Sequence, residues 1–256
     1  MRIAQIILPA ASQYERKSQR ADRGALASRY EFVDDPEKSD LAHVYAGQEL
    51  PPTWRIPVPY VSSAPMTRSR WPWRRAPGPR RVVTWRDLPE VVEDAYFTDV
   101  RAPRPEGPKV VGSFHRAGVN NMVEQTLSRI HRFRDDVVWN VIDHVPTPAD
   151  LRDVDVWVDP AVSEEDLDGF TAEALVSGVP VVAARTEINI ARCEKGRTAF
   201  LVPRSDPNEM THAILAALFK SEAAQAKIQA ASQTASKFRS RQRLRVLMHL
   251  YETSTQ

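Results

Sequence analysis

Apolar positions along this chain follow two regimes, and the change between them falls near residue 105. Over the first hundred residues short apolar runs stand apart among prolines and charges, and four of them read as strands: 3–8, 43–46, 58–61 and 82–85. The segment Pro-Arg-Pro-Glu-Gly-Pro at 103–108 can enter neither a helix nor a paired strand. Its prolines lack an N–H and restrict the residues before them, so a domain boundary is expected there. Beyond it β-branched runs at 109–112, 137–142, 154–158, 179–184 and 199–202 alternate with helical stretches near 120–133, 169–177 and 207–221. That alternation is the pattern of βαβ units on a parallel sheet. Asp168 and Asp206 stand where N-caps are needed, and Gly178 stands where a left-handed residue closes a helix. Two polar helices end the chain, the last with Leu244, Leu247, Met248 and Tyr251 at helical spacing as a packing face.

Composition narrows the class. A length of 256 residues suits two compact units, and 42% hydrophobic with 27% charged residues is ordinary for a globular protein. The apolar run 3–8 is broken by Gln5 and closed by Pro9, too short for a membrane span or a signal-peptide core. A single cysteine, Cys193, cannot form an internal disulfide, and a reducing cytoplasm is the expected location. No cluster of metal-ligating residues stands out, so no metal and no cofactor are expected. The net charge of +2 gives no reason to expect nucleic-acid binding.

Charge is nevertheless uneven. Between Arg68 and Arg86 the residues Arg70, Arg74, Arg75, Arg80 and Arg81 interleave with Trp71, Trp73 and Trp85, and no acidic residue follows until Asp87. Such a tract suits an anionic ligand, the phosphates of nucleic acid, or anionic lipid headgroups, the last of which would make the protein peripheral at the inner face of a membrane. The other reading is a proline-rich excursion whose tryptophans cover a thin core while its arginines reach water.

In an open parallel sheet ligands bind beyond the carboxyl ends of the strands. Three strand exits therefore hold the candidate chemistry: Gly112-Ser113-Phe114-His115-Arg116, the loop between Asp159 and Asp168, and Ala184-Arg185-Thr186-Glu187. Between the last two, Glu165 and Glu173 are separated by seven residues. The second glutamate runs into Gly178-Val179-Pro180-Val181-Val182, and Phe200-Leu201-Val202-Pro203 follows. The stretch 155–203 as a whole resembles the group 1 glycosyltransferases, retaining enzymes of the GT-B fold.

The resemblance implies an α/β chain of GT-B type, with two Rossmann-like domains whose parallel sheets face a cleft and an N-terminal domain that is reduced. Residues 1–105 would form the acceptor side and 106–236 the nucleotide-sugar side. Residues 237–256 would be a C-terminal helix packing back towards the first domain. It implies a bacterial-type hexosyltransferase that moves a sugar from a nucleoside-diphosphate donor to a polar, anionic or lipid-linked acceptor. Glu173 would accept hydrogen bonds from the ribose hydroxyls, since a carboxylate takes two hydroxyl donors at once. Glu165 would be catalytic, holding the donor sugar and stabilising charge at its anomeric carbon. Gly169 and Phe170 would receive the diphosphate at a helix N-terminus, with Gly112, Ser113, Arg116 and Thr186 completing the donor site.

Departures from the family pattern are equally specific. Gly112-Ser113 stands where Gly-Arg is usual, the loop to Arg116 is one residue shorter, and Glu187-Ile188 replaces a Gly-Gly pair. The stretch 143–154 is compressed, as if a strand and turn were missing. His43 and His115 receive no catalytic role; His43 reads first as a core or strand-end residue. The alternative function is therefore a degenerate, non-catalytic relative that binds a nucleotide or a protein partner.

Overall fold

The computed structural model describes residues 2–7, 16, 19–20, 22–23, 26–33, 41–45, 60–62, 81–82, 90–97, 107–115, 119–164, 166 and 168–254. Two compact units divide it: Met1–Val91 with Lys237–Gln256, and Val92–Ser236. Each holds a five-stranded sheet in which every pairing is parallel.

In the first unit the strands are β1 (Arg2–Ile7), β2 (Glu31–Val33), β3 (Leu41–Tyr45), β4 (Tyr60–Ser62) and β5 (Arg81–Val82). They lie in the order β2-β1-β3-β4-β5, with Ile3 opposite both Phe32 and Leu41. Of the basic-aromatic tract, Arg81 and Val82 form β5 and the remainder lies outside the described residues. A last helix, numbered α7 below (Ser240–Ser254), supplies Leu247, Leu250 and Tyr251 to a core with Leu26 and Tyr30; Leu244 and Met248 pack at its margin. The expected apolar stripe is therefore the face this helix buries. Arg243 on the same helix donates to both carboxylate oxygens of Asp22 at 2.6 and 2.8 Å, with each side chain 2% exposed. His43 is fully buried, its Nδ1 lying 2.7 Å from the Tyr251 hydroxyl. Burial depresses its pKa to about 3; nearby Asp22 opposes that shift and Arg243 adds to it. It is a neutral core histidine.

In the second unit the elements are β6 (Lys109–Phe114), α1 (Val119–Ile130), β7 (Val137–Ile142), α2 (Pro148–Arg152), β8 (Val156–Asp159), α3 (Thr171–Val176), β9 (Val181–Ala184), α4 (Glu187–Arg192), β10 (Phe200–Val202), α5 (Pro207–Phe219) and α6 (Ser221–Thr234). The sheet runs β10-β9-β8-β6-β7. Counted within its own unit this is the same order as the first sheet, so each reverses direction between its first and third strands. In sheet two that switch lies between β6 and β8.

Side-chain alternation sends Val111, Val156, Val158 and Val182 to one face, where they pack with Ile130 of α1 and Met210 and Ile214 of α5. Each such burial contributes about 1.5–3 kcal/mol. The helices form where their sequences allow it. Helix α1 buries Val119, Met122, Val123, Thr126 and Ile130, a stripe at helical spacing. Asp206 caps α5 by accepting from the Asn208 and Glu209 amides, and Pro207 occupies the first turn.

Several boundaries differ from the sequence expectation. Strand β2 and helices α2 and α4, three to six residues each, are too short to show a period. The stretch 143–154, read as a compressed segment, holds α2 behind a capping box of Thr147 and Asp150. Residues 92–97 count with the second unit, although the sequence boundary was drawn at 103–108. Here Tyr96 donates its hydroxyl proton to the Pro146 carbonyl, and Ser177 donates to the Tyr96 carbonyl at 3.0 Å.

Candidate functional site

The exit of β8 at the switch point ends in Asp159, whose carboxylate is fully buried. One of its oxygens accepts from the Thr171 hydroxyl at 2.9 Å and from the Asn189 side-chain amide at 2.8 Å. Thr171 opens α3 and Asn189 lies in α4, so one carboxylate joins the strand end to both following helices. A buried charge persists where hydrogen bonds satisfy it, and such networks make the loops around them rigid.

Glycine at 169 is required by that carboxylate. A Cβ built on Gly169 would lie 2.0 Å from an Asp159 oxygen. The Gly169 carbonyl accepts from the Trp157 indole N–H at 2.7 Å. Trp157 is itself fully buried, and Gly112, opposite it in the register, leaves room for its ring and for Val154. Gly112 therefore acts through packing: its missing side chain seats Trp157, and Trp157 holds the turn at 169.

The next residue departs from expectation. Asp168 is not the N-cap of α3; that place belongs to Phe170, in the left-handed region at φ 50°. Its ring packs edge-on against Phe114 at 4.8 Å, across the β6 exit. Ring packing and the Thr171–Asp159 bond set this helix start, in place of a side-chain cap. At the other end Gly178, at φ 69°, closes α3: its N–H and that of Val179 donate to the Leu175 and Ala174 carbonyls.

Every residue of α3 is buried, Glu173 included at 2% exposure. Glutamate is almost never so buried without compensation, and here it stands in the first turn, where the helix dipole favours a negative charge. Burial raises the Tyr96 pKa, and the Glu173 charge raises it further. Tyr96 is thus a neighbour that sequence reasoning missed. The signal was the spacing of Val91, Val92 and Tyr96, apolar residues buried in a segment that had been read as part of the first half.

Thr186 is buried and caps α4 by accepting from the Asn189 amide at 3.2 Å, which ties it to the Asp159 network. Glu187 and Ile188 form the first turn of α4, and the Glu187 amide donates to Glu164 at 2.8 Å. Glu164 also pairs with Arg204 at 3.4 Å, and Asp166 accepts from the Val162 and Ser163 amides. The acidic loop is therefore built into the fold at both neighbours of Glu165. Glu165 itself and Arg116 lie outside the described residues.

Ser113 stands apart from this group. It is fully buried and its hydroxyl accepts from the Trp139 indole N–H at 2.9 Å, on the face covered by α1 and α5. His115, one turn of chain later, is exposed and anchored through its amide to the Ile142 carbonyl at 2.7 Å. Gly169, Phe170 and Thr186 are thus gathered around the β8 and β9 exits, Gly112 supports them from the sheet, Glu173 lies in the first turn of α3 near Tyr96, and Ser113 does not join them.

Among the described residues no three His, Cys, Asp or Glu side chains are grouped as a metal site would require, and no helix is long and apolar enough to cross a membrane.

Residues 104–219 match the family model described as glycosyl transferases group 1. No curated protein matches the chain. Solved structures share the fold over nearly the whole length. A glycosyltransferase from Rickettsia africae is 10% identical with 98% of each chain covered and a TM-score of 0.66. Anabaena Alr3699/HepE, in complex with UDP, is 12% identical, covering 99% of this chain and 100% of its own, with a TM-score of 0.66. Sucrose-phosphate synthase from Thermosynechococcus elongatus is 15% identical over 96% of this chain and 80% of its own, with a TM-score of 0.60. The fold is accordingly that of the GT-B glycosyltransferases.

Proposed function

From the match of residues 104–219 to the group 1 glycosyltransferase model, we propose that this chain transfers a sugar from a nucleoside-diphosphate donor with retention of configuration. The observation that carries the reading is Glu173, a nearly fully buried carboxylate eight positions beyond Glu165, in the first turn of α3, the helix that follows the β8 exit. It receives the ribose hydroxyls, which offset the cost of keeping the charge from water. The Anabaena neighbour was crystallised with UDP and glucose, which supports a nucleotide sugar as the partner.

Glu165 stabilises positive charge at the anomeric carbon. As the bond from that carbon to the diphosphate breaks, the acceptor oxygen attacks from the same face and its proton passes to the departing phosphate oxygen. The protein orients the groups and stabilises charge, and no metal takes part. The acceptor is polar, and the 68–86 tract suits an anionic or lipid-linked one.

Titration with UDP, GDP and ADP and with their sugar conjugates, followed by thermal unfolding, tests the reading. A ligand at about a hundred times its Kd adds about 2.7 kcal/mol of stability. Glu173→Gln should weaken the effective nucleotide roughly tenfold or more, because a hydrogen bond to a charged group contributes about 1.5–3 kcal/mol. Equal binding by that variant removes the role of Glu173, and full transfer by Glu165→Ala removes that of Glu165. NMR of the product anomer decides retention.

One observation favours a second reading. Ser113 is buried against Trp139 where the family pattern has a basic residue, so no cation stands at that position to grip the diphosphate. Nucleotide binding without donor hydrolysis or transfer would identify a non-catalytic relative.

A further inference from the structure

A cavity of about 500 Å3 lies along the free edge of the second sheet, away from the β6/β8 switch point. Its floor is the edge strand β10 and one face of α5. Arg185, Lys195, Lys220, Lys227 and His212 line it, against Glu209 as the one acidic side chain of the lining. Gathering four permanent cations around one concavity is unfavourable unless an anion offsets their repulsion.

One of the cations is also held in place. Lys227 donates to the Gly196 carbonyl at 2.6 Å, and its ammonium sits 4.8 Å from the centre of the Phe200 ring. Lys220 precedes it by seven residues, so two turns of α6 bring both towards the same cavity. Lys195 projects from a strained turn: Glu194 and Lys195 are left-handed at φ 49° and 58°, followed by Gly196 at 94°. The turn is closed by the Gly196 and Thr198 amides donating to the Cys193 carbonyl and by an ion pair of Arg197 with Glu194. Non-glycine residues persist in that region where their surroundings impose it, and such positions cluster at ligand sites. Lysines also protect sheet edges from pairing with other chains. Protection accounts for the charge, but it requires neither a concavity floored by β10 and α5 nor backbone strain beside it.

We propose that this cavity is a second anion site, taking a small ligand with a phosphate or diphosphate group held by Lys195, Lys220 and Lys227 and a body lying over β10. A soluble phosphorylated compound and a lipid headgroup share that chemistry. Its volume lies within the range of small-molecule sites.

Calorimetric titration of the full chain with inorganic pyrophosphate tests it. Lys195 and Lys220 are exposed, so K195A/K220A retains the fold, which circular dichroism checks. That variant should bind pyrophosphate at least tenfold more weakly, whereas R239A/R241A, losing the same charge elsewhere, should stay within about twofold of the parent. Cosedimentation with phosphatidylglycerol vesicles identifies the source: lysine-dependent pelleting indicates a headgroup, and pyrophosphate binding without pelleting indicates a soluble ligand. Unchanged pyrophosphate affinity in K195A/K220A, equal loss in both variants, or no binding of pyrophosphate and vesicles overturns the proposal. UDP titration of K195A/K220A keeps the donor reading separate. Retained UDP affinity with lost pyrophosphate affinity supports both, and absence of UDP binding in the parent counts against the donor site alone.

Discussion

Asp159 shows how much one side chain can organise. Its carboxylate is withdrawn from water and joined to Thr171 and Asn189, and the space beside it admits no atom larger than a hydrogen on Gly169. Gly169→Ala should therefore force the strand end and α3 apart, costing about 1–3 kcal/mol in a denaturant titration and weakening nucleotide binding with it. Lys195 carries the opposite lesson. A left-handed conformation costs a lysine about 1–2 kcal/mol that glycine does not incur, so Lys195→Gly should unfold at a higher denaturant concentration than the parent. At this scale the sequence was informative about residue types and silent about partners. Glu173 was singled out through the resemblance of the whole 155–203 stretch, since two glutamates at that spacing mean little alone, and its burial came only with the fold. Asp159 was seen merely as the start of a loop, because nothing in a linear sequence marks Thr171 and Asn189 as its donors.

Among the elements, those with a full period or a complete cap were readable. Helix α5 has Asp206, Pro207 and a buried stripe, and α3 ends on Gly178 as its sequence requires. Asp206→Ala should lower stability by about 1 kcal/mol by leaving the Asn208 and Glu209 amides without an acceptor. The start of α3 was misread at Asp168, since ring packing of Phe170 on Phe114 outweighed the local preference for a polar cap. Helix α7 depends on a pairing across more than two hundred residues, which no local pattern reveals. Breaking it by Arg243→Ala takes the guanidinium away from a buried carboxylate, an expected loss of about 3–5 kcal/mol in chemical unfolding.

For the whole molecule, the two units should answer to different conditions. His43 belongs to the first, and its folded pKa of about 3 lies below the ordinary 6.5. The unfolded chain takes up the proton first as pH falls. Stability from this group is complete above about pH 6.5 and declines towards pH 3, by up to about 1.4 kcal/mol per pH unit. Hydrogen exchange should show the α7 and β3 peptides opening in that window, while a nucleoside diphosphate protects the α3 and α4 peptides of the second unit. His43→Gln should flatten the acid response of the first unit.

The alternation of strands and helices beyond residue 108, the parallel sheet it builds, and the residue types at the strand exits follow from the sequence by itself, because hydrophobic period, caps and turn residues act over a few neighbours. Tertiary structure alone decided that the first sheet repeats the strand order of the second, that Tyr96 lies beside Glu173, and that Ser113 turns into the core while Asp159 closes the site. Those outcomes depend on packing and hydrogen bonds between residues remote in the chain, and such contacts acquire their free energy only once the fold has brought them together.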